Sequence, residues 1–141
     1  VMINMGILGF IAIALIFLMF PYINGPILSG LITLIGFAGF GKHLKNVLPI
    51  IAGVSLSYIM FGIHIPLTTF AITLFFSTCL APISGKFGII PGIIVGFTNF
   101  CLVLNMGALH GGLNLYNTGL SAGIVASVSV PILQLFDGGK N

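Results

Sequence analysis

Residues Asn105–Gly123 read NMGALHGGLNLYNTGLSAG, and how this stretch is understood decides how the whole chain is understood. One His, three Asn, one Tyr, one Thr and one Ser sit among five glycines, without a charged residue, in a chain that is otherwise almost wholly apolar. That composition suits a backbone that bends where protein, not lipid, surrounds it. In hydrocarbon an unpaired N–H or C=O costs several kcal/mol, so irregular backbone at membrane depth persists only where protein buries it or it lines a cavity. A broken or re-entrant element is therefore expected around His110–Gly119. The plainer alternative is an ordinary loop outside the membrane.

Working outward, hydrophobic residues make up 58% of the 141 positions and charged residues 4%, against about 25% charged in a soluble domain. The expected fold class is all-α: a polytopic transmembrane helix bundle of about six spans, forming one domain over residues 1–141. The five charges are Lys42, Lys45, Lys86, Asp137 and Lys140, each between or after apolar runs. A charge at the centre of a span costs about 2.5–3.5 kcal/mol, so these positions mark exits from the bilayer. The small positive balance is an orientation signal and gives no reason to expect nucleic acid as a partner.

The spans read in order as Met2–Phe20, ended by Pro21; Ile27–Phe40, opened by Asn24-Gly25-Pro26; Val47–Gly62; Leu67–Leu80, stopped by Ala81-Pro82; Ile89–Leu104; and a last one running to about Phe136. The second is short for a full crossing, since about 20 residues are needed for a 30 Å core. Ser84-Gly85-Lys86 reads as a connecting turn. If every span crosses, all four lysines fall on one face, which the positive-inside rule makes cytoplasmic. Both ends of the chain would then be cytoplasmic, in a plasma or inner membrane. The opening Val and the small size suggest one repeat or a piece of a longer transporter-like protein.

Small residues at four-residue spacing let helices approach backbone to backbone. Gly88, Gly92 and Gly96 in the fifth span, and Gly119, Gly123 and Ser127 in the sixth, carry that pattern, so these two spans are expected to pack together. Gly111 and Gly112 are expected to let the backbone turn between them. Cys79 and Cys101 lie in apolar runs without metal or redox spacing and read as small buried hydrophobes. His43 and His64 sit at turns and read as interfacial residues.

Catalysis finds few tools here. The single carboxylate, Asp137, is in the polar tail, and neither an HExxH helix nor a GxSxG elbow nor a phosphate loop with its Lys is present. The chain is therefore expected not to be an enzyme, and no metal or cofactor is expected. What remains are neutral hydrogen-bonding groups. On a helix His110, Asn114 and Thr118 share one face and Asn117 and Ser121 another, and Tyr116 is expected to present its hydrogen-bonding group with Asn114 and Asn117. Unpaired in an apolar setting each costs roughly 1–3 kcal/mol, so they must meet one another, backbone, water or solute.

The segment HGGLNLYNTGLSAGIVAS, His110–Ser127, resembles the signature of a bacterial multi-pass membrane family catalogued as a domain of unknown function, whose members carry an HGGLNLYN motif. That resemblance implies no activity. A weaker one is to urea transporter repeats, in which an Asn-Pro-x-x-Gly helix start precedes a Gly-Leu-x-x-Tyr-Asn segment. Asn24-Gly25-Pro26 with Gly30, and Gly112–Asn117, are similar to these, with one extra Gly between Asn24 and Pro26. It implies a channel with half-helices, on the inverted-repeat plan common among transporters.

The leading expectation is a channel or transporter, or one repeat of it, for a small polar neutral solute or an anion. It would work in the lipid bilayer with a second copy or repeat. The competing expectation is a non-transporting structural or assembly subunit whose polar residues lock helices.

Overall fold

The computed structural model describes residues 1–62, 64–106 and 114–137, the side chains of residues 114–116 excepted. The described residues form helices α1 (Met2–Met19), α2 (Gly25–Ala38), α3 (Leu44–Phe61), α4 (Leu67–Phe76), α5 (Ala81–Phe87), α6 (Ile89–Met106) and α7 (Asn114–Asp137), with a 3-10 turn, Ser77–Leu80, joining α4 to α5. Five units are long and apolar enough to cross a membrane, the joined Leu67–Phe87 among them; α2 is the short one. The chain is an all-helical transmembrane bundle.

Local chemistry sets most of the ends. Phe20 precedes Pro21 and takes the extended backbone that a following proline enforces, φ −124° and ψ 127°, which ends α1. Asn24 caps α2: its Oδ1 accepts from the Ile27 N–H at 3.1 Å, and Pro26 occupies the first turn, where an N–H is not needed. The fourth span departs from the sequence expectation. Pro82 lies in the first turn of α5 and does not stop the crossing. Ser84-Gly85-Lys86 is helical, and the chain reverses at Gly88, whose φ of 100° favours glycine.

Paired positions give the topology. Asn4 and Gly9 of α1 meet Ala38 and Ile35 of α2, so these helices are antiparallel. Asn24 meets Thr68 and Gly30 meets Phe75, so α2 and α4 run in the same direction. Pro49 lies by Gly92 and Ser57 by Cys101, so α3 and α6 also run in the same direction. These directions require Leu67–Phe87 to cross as one unit. They also bring Lys42, Lys45 and Lys86 to one end of the bundle.

The closest helix contact is α3 on α6. A Cβ on Gly96 would stand 2.5 Å from the Ile50 carbonyl oxygen, one on Gly92 2.8 Å from Pro49 Cβ, and one on Gly53 2.8 Å from the Phe97 nitrogen. The fifth span therefore turns its small face to the third, not to the sixth. Among the described residues nothing lies within 4 Å of a Cβ added at Gly119 or Gly123. At one end of the bundle Phe70 stacks on Tyr58 at 4.0 Å and meets Phe20 and Phe100, joining four spans. The outer surface is apolar, Phe10 and Phe17 being 75% and 73% exposed, while many polar side chains point inward. That inversion is what a lipid solvent requires.

Candidate functional site

Three spans bring their polar side chains to one place. Pro82 lacks the N–H that would bond the Thr78 carbonyl, and its ring crowds that carbonyl, so the helix tightens to a 3-10 turn at Ser77–Leu80. The break turns the Ser77 and Thr78 hydroxyls inward, both fully buried. Opposite them on α6 lies Asn99, also fully buried, whose Nδ2 donates to Ser77 Oγ at 2.7 Å. On its other side Asn99 Oδ1 accepts from Ser121 Oγ of α7 at 2.7 Å. Ser121 has a single proton and a second acceptor within reach, the Thr118 carbonyl at 3.0 Å. The amide thus bridges the broken span to α7.

Asn99 is ten residues into α6, about 15 Å along the helix, near the middle of a roughly 30 Å hydrocarbon core. At that depth every polar atom needs a partner. Asn117 Oδ1 and Thr118 Oγ1 are buried and have none among the described residues. Ser84 Oγ, one turn before the Gly88 reversal, is in the same condition. Around the Asn99 bridge the described side chains are neutral donors and acceptors, two of them unclaimed among the described residues. Among the described residues no three His, Cys, Asp or Glu side chains gather as a metal site.

Of the sequence-picked residues, Asn117, Thr118 and Ser121 come together on the buried face of α7. His110, Gly111 and Gly112 lie outside the described residues, as do the side-chain roles expected of Asn114 and Tyr116 in the first turn of α7. Gly92 and Gly96 pack on α3, and Gly88 makes the turn. Cys101 shares a 3.2 Å contact with Ser57, whereas Cys79 is exposed and not a buried filler.

Sequence reasoning passed over Asn99, Ser77 and Thr78. Their signals were present: an Asn ten residues into an apolar run, and a Ser-Thr pair one turn before a proline. Lys42 was read only as a boundary marker, yet it is 7% exposed and its Nζ donates to Thr78 Oγ1 at 2.9 Å.

The family described as "Protein of unknown function (DUF1576)" matches residues 1–135. This chain belongs to that family. Neither a curated protein nor a solved structure matches the chain. The DUF1576 description carries no activity, so for this member of the family the buried amide and hydroxyl groups are the chemistry from which function must be read.

Proposed function

We propose that the protein provides, or completes with a second copy or repeat, a membrane route for a small polar solute, neutral or anionic. The observation that carries this reading is a pair of acceptors unclaimed among the described residues, Asn117 Oδ1 and Thr118 Oγ1, buried beside the Ser77–Asn99–Ser121 bridge at a broken span. A buried polar group without a partner costs roughly 1–3 kcal/mol, a cost that water or a passing solute removes. Broken helices at mid-membrane depth are a recurrent way to line such routes. No reaction is part of the proposal. The one-sided lysines support an orientation with Lys42, Lys45 and Lys86 in the cytoplasm of an inner or plasma membrane.

The competing reading is a non-transporting assembly subunit. Its support is the Asn99 bridge, which ties α6 to the broken span and to α7. Proteoliposomes containing the complete protein separate the two. A panel of small neutral polar solutes and inorganic anions should give at least one flux above empty vesicles. Thr118→Val, which keeps shape and removes the unclaimed hydroxyl, should lower that flux at unchanged protein incorporation. No flux for any member of the panel would leave the assembly reading, and an undiminished flux in the variant would remove Thr118 from the route.

A further inference from the structure

A second feature lies apart from the amide bridge, at the end of the bundle where α2 turns into α3. Here a cavity of about 400 Å³ is bounded by Phe37, Phe40, Lys42, Asn46, Cys79 and Pro82. Lys42 is 93% withdrawn from solvent, being only 7% exposed, and its partner is a hydroxyl, not an acid. The single carboxylate side chain of the chain, Asp137, ends α7. The ammonium has three donors. One is given to Thr78, and Thr78 passes its own proton to the Phe75 carbonyl at 2.5 Å.

A buried cation held by one neutral oxygen is costly unless something negative joins it. The Phe37 ring, with its centroid 4.8 Å from Nζ, supplies only part of that compensation. Asn46 cannot serve as the missing partner: its oxygen accepts from the His43 N–H at 2.8 Å and its nitrogen donates to the Gly41 carbonyl at 3.1 Å. The other walls are apolar, and Phe40, 87% exposed, stands at the outer rim. A cation at the bottom and aromatic rings at the rim fit an oxyanion with an apolar part attached. Basic pockets between transmembrane helices take acidic lipid headgroups by this arrangement.

We propose that the Lys42 cavity binds a phosphate oxyanion, two of whose oxygens take the remaining ammonium donors, with the apolar rim favouring the phosphate of an acidic membrane lipid over free phosphate. The site adjoins the broken span at Thr78 but rests on the Lys42 cavity, and it stands if the solute route is absent.

The complete protein in a neutral detergent tests it by thermal unfolding with added phosphatidylglycerol, phosphatidylcholine, or inorganic phosphate at matched ionic strength. Phosphatidylglycerol should raise the midpoint by several degrees, and phosphatidylcholine should not. An equal rise with inorganic phosphate alone would assign the site to the free anion. Lys42→Met, which keeps the unbranched stem, should abolish the response, whereas Lys45→Met, at an exposed position, should retain it. Cys79 gives a readout in the unmutated protein: labelling by a small thiol reagent should slow about tenfold when the lipid is about tenfold above its Kd. Equal responses to the acidic and zwitterionic lipids, an undiminished response in Lys42→Met, or unprotected Cys79 would overturn the site. Should Lys42→Met fail to fold, the Cys79 protection decides alone.

Discussion

Replacing one glycine on α6 and one on α7 with alanine should have opposite effects, and the difference follows from what each added methyl meets. At Gly96 the Cβ would stand 2.5 Å from the Ile50 carbonyl oxygen and 3.1 Å from Ile50 Cα. Both are backbone atoms, so no rotamer change can relieve the clash, and α3 must retreat along its length. Such overpacking costs about 1–3 kcal/mol. A retreat of half an ångström also forfeits roughly a quarter of the dispersion well across the neighbouring contacts. At Gly123 nothing among the described residues lies within 4 Å, so alanine brings only its better helix propensity, up to about 1 kcal/mol. The propensity gain is common to both positions, so Gly96→Ala should fall below Gly123→Ala by the overpacking cost, about 1–3 kcal/mol. Reversible denaturant unfolding in a mild detergent measures this. Equal stabilities, or Gly123→Ala the weaker, would refute the packing of α3 on α6 by its glycine face.

Three further outcomes are expected. Thr118→Val should leave stability within about 0.5 kcal/mol if water or solute meets its hydroxyl, whereas a gain of about 1–3 kcal/mol would mean a dry, unpaired group. Burial lowers the Lys42 ammonium from 10.5 to about 8, the nearby Cys79 opposing the shift. Between about pH 8 and 10.5 the unfolded chain then binds more protons than the folded one, so stability in the absence of an anion should rise across that window, and Lys42→Met should flatten the rise. With Cys79 and Cys101 replaced, Tyr22→Cys and His43→Cys should label with an impermeant thiol reagent from opposite sides, His43→Cys from the cytoplasm; labelling from one side would remove the crossing by α2.

The fold was legible because its signals are local and strong. Apolar runs, a charge-poor chain, Pro21 and the Asn24-Pro26 start each act within a turn or two, and the spans follow from them. The fourth span was misplaced because a proline reads alike as a stop and as a first-turn residue. The shared direction of α3 and α6, with the reversal delayed to Gly88, shows which role Pro82 plays. The glycine stripes were legible as close-packing faces, but a stripe does not name its partner: α6 uses its own on α3, and Gly119 and Gly123 of α7 meet nothing among the described residues. At the site the cluster on α7 could be picked from composition, since Asn117, Thr118 and Ser121 stand out in an apolar helix. Asn99 and Lys42 could not be weighed that way. Their importance lies in partners 22 and 36 positions away in the chain.

The central claim, that the buried polar groups of α7 meet water or solute, is tested most directly by the rate at which Thr118→Cys reacts with a small water-borne methanethiosulfonate. The measurement uses the complete protein in vesicles, with Cys79 and Cys101 replaced. A lined route exposes this position, so modification should proceed at a measurable fraction of the rate of the exposed control His43→Cys, and the attached group should block the flux. A cysteine at 118 that stays unmodified while the control reacts would contradict the route and make the cluster a dry tie between helices.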